Sequence, residues 1–118
     1  MRIVVLGSGG REHSIIWKLS FDERINEIIS FSDNYGISQL SKNLKTENYD
    51  LNSIIKQIIS LSPDLVIVGP EEPLSEGITN LLTEKNIKCF GPSKEASRIE
   101  SSKIFSKKLM MENNIPTS

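Results

Sequence analysis

Three groups of residues in this 118-residue chain have the types and spacing to do chemistry. The first is Gly7-Ser8-Gly9-Gly10 with Arg11-Glu12-His13 directly after it. A glycine turn that opens a helix leaves backbone N–H groups without intrahelical partners, and the positive end of the helix dipole adds to them; such a point suits a phosphate. Arg11 can meet an anion with two parallel hydrogen bonds, although a solvated charge, or a weak pair with Glu12, accounts for it as well. Glu12 is favoured in a first helical turn by the dipole alone. His13 can donate to a ligand or act as a base, but a structural hydrogen bond is the commoner role, and catalysis is not assigned to it. The second group is Gly69-Pro70-Glu71-Glu72-Pro73, two carboxylates between prolines. The prolines restrict the backbone and limit the entropy lost on binding. Glu71, directly after Gly69-Pro70, is the one expected to accept hydrogen bonds from a sugar. The third is Lys103, Lys107 and Lys108; Lys103 and Lys107 share a helix face, which by spacing alone is a solvated basic face.

These groups need elements to position them. Arg2–Leu6 is a short apolar run and reads as a strand, and Arg11 to about Leu19 carries Ile15, Ile16 and Leu19 at helical spacing. Glu27–Phe31 reads as a second strand, Ser32–Gly36 as a turn-rich loop, and Ile37–Asn48 has no decided period. Leu51–Ser60 puts Ile54, Ile55, Ile58 and Ile59 on one stripe, with Asp50 as N-cap. Asp64–Val68 is a continuous apolar run, the mark of a strand covered on both faces. Ser75 is expected to cap a helix with Ile78, Leu81 and Leu82 that ends near Asn86, and Ile87–Phe90 is a short strand. Ser93 caps a helix to about Glu100, and Ser101 or Ser102 opens a last helix with Ile104, Phe105, Leu109 and Met110 that Asn113–Pro116 ends. Strands alternating with helices predict an α/β fold, a Rossmann-like parallel sheet with helices on both faces. Ligands of such sheets bind beyond the carboxyl ends of the strands. Both glycine loops follow strands, so both are expected on one edge, where they make one site.

Composition narrows the partners. Length suits one domain with a real core. The net charge of −1 gives no electrostatic case for nucleic acid or an anionic membrane. No apolar run is long enough to span a bilayer, and the N-terminus runs straight into a strand, so no signal peptide is expected. The single cysteine, Cys89, suits a reducing cytoplasm and reads as a small core thiol. One histidine and one cysteine cannot supply a zinc cage.

Gly7-x-Gly9-x-x-Glu12 departs from the dinucleotide fingerprint at its third glycine, and Asp33 stands near the place of the ribose-binding acid. An NAD(P)-type domain is therefore one reading. A longer series points elsewhere. Gly7-Ser8-Gly9-Gly10-Arg11-Glu12-His13, Trp17-Lys18, Val68-Gly69-Pro70-Glu71-x-Pro73-Leu74, Phe90-Gly91-Pro92, Glu100-x-Ser102-Lys103-x-Phe105-x-Lys107 and Asn114-Ile115-Pro116-Thr117 occur in this order. Together they resemble the N-terminal, pre-ATP-grasp part of the glycinamide ribonucleotide synthetases, or phosphoribosylamine–glycine ligases, over the whole chain.

The resemblance implies an ATP-grasp ligase of purine biosynthesis. In that family ATP, with Mg2+ or Mn2+, phosphorylates the carboxylate of glycine. The amine of 5-phosphoribosylamine attacks the acyl phosphate, giving glycinamide ribonucleotide, ADP and phosphate. It further implies that Gly7, Ser8, Gly9, Gly10, Arg11, Glu12 and His13 face the phosphoribosyl group, that Gly69, Pro70 and Glu71 complete the site with Glu71 on the ribose hydroxyls, and that Lys103 reaches ATP phosphates. Residues 1–100 would be the pre-ATP-grasp domain and 101–118 the start of the ATP-grasp domain. Family members run to several hundred residues, so this chain is expected to lack most of the ATP-grasp region, to be inactive alone, and to expose apolar residues such as Met110 or Met111 on its last helix. The family's Pro-Gly-Asn turn is here Ser32-Asp33-Asn34, which leaves that loop's geometry open and keeps a non-catalytic remnant as a further reading.

Overall fold

The three inner strands form on short runs rich in Ile, Val and Leu, and a two-residue strand pairs at each edge. In the computed structural model, which describes residues 1–46 and 49–118, these are β1 (Arg2–Leu6), β2 (Glu27–Ser30), β3 (Lys42–Asn43), β4 (Leu65–Val68) and β5 (Cys89–Phe90). They pair in parallel in the order β3-β2-β1-β4-β5. The order reverses direction between β1 and β4, where Leu6 lies opposite Val68. A reversal of this kind opens a crevice at the carboxyl ends of the two strands.

Between the strands run α1 (Gly10–Leu19), α2 (Tyr35–Leu40), α3 (Leu51–Leu61), α4 (Glu71–Ser75) and α5 (Ile78–Glu84); α6 (Lys94–Ser101) and α7 (Lys103–Glu112) follow β5. Strand alternation divides the core. Ile3, Val5, Ile28 and Ile67 meet Ile16 of α1 and Ile37 of α2 on one face. Val4, Leu6, Ile29, Val66 and Val68 meet α3, α4 and α5 on the other, through residues such as Ile58, Leu74 and Leu82. Ile16, Ile37, Ile58, Ile78 and Leu82 are wholly buried, each worth about 1.5–3 kcal/mol in transfer terms.

Asp50, Ser93 and Ser102 cap α3, α6 and α7 as predicted, each side chain accepting a backbone N–H. Six local expectations are corrected. Ser75 does not open a helix: it ends α4, and Gly77, in the left-handed region, precedes α5. Glu71 and Glu72 stand in the first turn of α4 rather than in a loop, because Pro70 has the extended backbone of an N-cap residue. Tyr35 and Gly36 belong to α2, which Asn34 caps. β2 stops at Ser30 and β5 begins only at Cys89. Ile59 leaves the α3 stripe and is 40% exposed, since the buried face is filled by Ile54, Ile55 and Ile58. The undecided stretch resolves into α2 and β3; its last two residues, Glu47 and Asn48, lie outside the described residues.

Candidate functional site

The crevice at β1 and β4 is built by the turns that leave these strands. Gly7 adopts φ +118°, which an L side chain takes only with strain. The chain then passes through Ser8 and the N-cap Gly9 into α1, and the N–H groups of Gly10, Arg11 and Glu12 precede the first intrahelical bond, His13 N–H to Gly9 O. On the neighbouring strand, the Gly69 N–H donates to Leu6 O at 3.2 Å. The two turns are therefore joined at the backbone.

Arg11 joins them a second time. Its Nη1 donates to Gly69 O at 2.9 Å, and its Nη2 lies 3.9 Å from Glu71 Oε1. The ion pair is open to solvent and contributes little by itself. The inference that both glycine loops share one edge is borne out by this contact and by the β1–β4 register.

Glu12 is placed otherwise than expected. It is 5% exposed, and its Oε2 accepts the Gly9 N–H at 2.8 Å, one half of a capping box. It lies in a cradle of three glycines: an added Cβ would stand 2.6 Å from Glu12 Cγ at Gly7 and 2.9 Å from Oε2 at Gly9, and at Gly69 it would overlap Oε1. The carboxylate thus faces inward, and one amide of the first turn is used by the protein itself.

His13 is half-buried and packs on Gly36 at the start of α2, where an added Cβ would lie 2.5 Å from its Cε1. Ser8 is held from the β2–α2 turn: Ser32 Oγ donates to Ser8 Oγ at 3.0 Å, and Asn34 Nδ2 donates to Ser8 O at 2.9 Å. Ser32 is buried, and Asn43 of β3 brackets it, accepting its N–H at 2.9 Å and donating to its carbonyl at 2.6 Å. Sequence reasoning missed this support, because nothing local to Ser32 or Asn43 announces that β2 and β3 are neighbours. The open question of the Ser32-Asp33-Asn34 turn has a geometric answer: Asn34 caps α2 and grips the first turn at once.

Beside the crevice lies a half-open cleft of about 570 Å³, lined by Gly7, Ser8, Phe31, Asp50, Pro70 and Glu72 among others. Glu72, which sequence reasoning passed over for Glu71, lines this cleft, while Glu71 lies toward Arg11. The adjacency of the carboxylates, each one residue from a proline, was the only signal available for it. Lys103 is not brought to this place. It is exposed on α7, where it borders a separate hollow with Glu100, Lys107 and Ser118. Among the described residues, no three His, Cys, Asp or Glu side chains converge as metal ligands.

The arrangement can hold a small anionic ligand by helix-start amides and a guanidinium on one side and carboxylates on the other. The sequence model of a family described as phosphoribosylglycinamide synthetase, N domain, matches residues 1–100. The chain is similar to the trifunctional purine biosynthetic protein adenosine-3 of Chironomus tentans, 47% identical over 122 residues that cover 99% of this chain and 9% of that protein. It is similar to the phosphoribosylamine–glycine ligase of Caldanaerobacter subterraneus, 40% identical over 117 residues, 99% of this chain and 28% of that one. The crystal structure of phosphoribosylamine–glycine ligase from Thermotoga maritima superposes with a TM-score of 0.72 at 28% identity, covering 100% of this chain and 26% of that one. The chain thus spans about a tenth to just over a quarter of the length of these relatives.

Proposed function

The chain belongs to the phosphoribosylglycinamide synthetase N-domain family, and from that premise we propose that it is the phosphoribosylamine side of an ATP-dependent ligase that joins glycine to 5-phosphoribosylamine in purine biosynthesis. The observation that carries this reading is Arg11 across the two turns, donating to Gly69 O with Glu71 beside it. The N–H groups of Gly10 and Arg11, with the Arg11 guanidinium, bind the phosphate, since helix-start amides and a planar cation are the usual partners of that group. Ser8 and Gly7 form the floor, Pro70 stiffens the opposite wall, and Glu71 takes the ribose hydroxyls. Glu72, on the cleft side, is the second carboxylate within reach of a sugar. Glu12 and His13 act from behind, one holding the first turn and the other packing it on α2.

ATP and its Mg2+ or Mn2+ belong to the reaction that this membership implies, but the described residues do not build a seat for them. Lys103 borders a hollow separate from the cleft, and no acidic cluster accompanies it. We assign glycine activation to the part of the longer relatives that lies outside the matched segment. We assign residues 1–100 to the phosphoribosyl-binding domain and 101–118 to the start of the ATP-grasp domain, a division supported by the break at Ser102, which ends α6 and caps α7. A reducing cytoplasm suits the one cysteine, whose thiol lies 3.6 Å from Thr79 Oγ1 and is pushed up from its usual value by burial.

Calorimetric titration of the chain with glycinamide ribonucleotide tests the reading. Saturable heat is expected, with affinity about tenfold lower in Arg11→Ala and Glu71→Ala, each of which loses a charged hydrogen-bonding partner. Heat that both variants leave unchanged contradicts the assignment. Heat absent from the wild type favours the remnant reading instead.

A further inference from the structure

We propose that Glu12 is a specificity-determining residue: its carboxylate is a built-in anion in the floor of the crevice between β1 and β4 and bars a pyrophosphate from seating on the Gly9 amide. The inference rests on the fold and the glycine cradle and is independent of the ligand proposed above. The strand order places the crevice where an open parallel sheet of this type receives a dinucleotide, with the pyrophosphate against the first glycine turn. Here a side chain already stands there. Glu12 Oε2 takes the Gly9 N–H at 2.8 Å. The Gly7, Gly9 and Gly69 backbones approach the carboxylate so closely that none of the three could carry a Cβ without displacing it. The residue is 5% exposed, so the charge lies beneath the rim and not in solution.

Two consequences follow for an incoming anion. It loses the Gly9 amide as a donor, and it meets a negative charge at short range in a poorly solvated place, where repulsion is least screened. A monophosphate at the outer amides of Gly10 and Arg11 avoids both penalties. A pyrophosphate, which must reach across the turn, avoids neither. Position 12, where the dinucleotide pattern has its third glycine, thus carries a side chain that takes the amide of the second one, Gly9.

The test is amide-resolved NMR of the whole chain titrated with sodium pyrophosphate at constant ionic strength. In the wild type the Gly9 amide is expected not to move. In Glu12→Ala, with the cradle vacated and the N–H free, the Gly9 amide is expected to shift saturably, and pyrophosphate to bind about tenfold more tightly than to the wild type. A saturable Gly9 shift in the wild type overturns the proposal, whether or not the variant folds. So does a folded Glu12→Ala whose Gly9 amide and affinity match the wild type. If Glu12→Ala fails to fold, Glu12→Ala with Gly69→Ala, whose new methyl lies where Oε1 was, is expected to recover the melting transition. No recovery would refute the cradle. Glycinamide ribonucleotide is titrated separately: if it leaves both proteins unmoved while the pyrophosphate contrast holds, the ligand assignment fails and this inference stands.

Discussion

At the scale of single residues, the site depends on which side chains face the ligand and which face the protein. Arg11 and Glu12 are neighbours in sequence with opposite fates: Arg11 is open to solvent across the crevice, and Glu12 is sealed beneath it. Helical geometry makes this division, since adjacent helical positions do not share a face. Gly7 illustrates how narrowly the turn is specified. Gly7→Ala imposes a left-handed conformation on an L residue and pushes a methyl into Glu12 Cγ. It is expected to lower stability by about 1–3 kcal/mol, read as the midpoint of urea unfolding; an unchanged midpoint would deny the close approach. Arg11→Ala, by contrast, removes exposed groups and is expected to shift the same midpoint by no more than about 0.5 kcal/mol while weakening ligand binding. Cys89 offers a chemical check. Burial raises its pKa, so less thiolate is present at neutral pH, and alkylation by iodoacetamide is expected to be slower than for a free thiol and to accelerate on unfolding.

Element by element, much of this fold was legible, and the misses have physical causes. β1 and β4 declare themselves by short unbroken apolar runs, α1 and α3 by helical apolar spacing, and the caps Asp50, Ser93 and Ser102 by local hydrogen-bond chemistry. α2, α4 and β3 are too short for a period to register, and their existence depends on neighbours. Asn34 caps α2 while holding Ser8, and Asn43 of β3 is defined by its grip on Ser32. Hence the two turns of the site could be brought together from sequence, and the third, read only as a turn-rich loop, could not be joined to them. Glu12 was misread for the same reason: its role depends on Gly69, which arrives from a distant strand. Two predictions belong here. Asn43→Ala strips partners from a buried turn and is expected to cost about 1–3 kcal/mol, together with altered Ser8 and Gly9 amide shifts; a loss of stability with those shifts unchanged would separate β3 from the site. Glu27 on β2 bridges Arg2 of β1 and Lys42 of β3, and the Arg2 hydrogen bond holds its carboxyl below the ordinary range. A depressed folded-state value means the unfolded chain takes up the proton first. The contribution is therefore present above the ordinary glutamate range and fades as pH falls through the folded value. Glu27→Gln should flatten the acid limb of a melting-temperature profile, and an unchanged limb would assign the acid sensitivity elsewhere.

For the whole molecule, the organisation is a two-faced sheet with one busy edge. α1 and α2 cover one face, α3 to α5 cover the other, and α6 carries α7 outward, with Arg98 stacked 4.0 Å from the Phe105 ring centroid. Of the two methionines expected to be exposed on the last helix, Met111 is 71% exposed and Met110 is half-buried, and Ile104 is 85% exposed as well. Stability is therefore concentrated in the sheet, and Ile58→Ala, in the core, should cost about 2–5 kcal/mol, whereas Ile104→Lys should leave the unfolding midpoint within about 0.5 kcal/mol of wild type. The central claim is that the β1–α1 and β4–α4 turns act as one receptor for a sugar phosphate. Amide shifts followed through a titration with glycinamide ribonucleotide address it directly. The Gly10 and Arg11 signals and those of Glu71 and Glu72 should move together with a single dissociation constant, and in Arg11→Ala both sets should need about tenfold more ligand to reach the same shift. Movement of one set without the other, or shifts confined to α7, would contradict it.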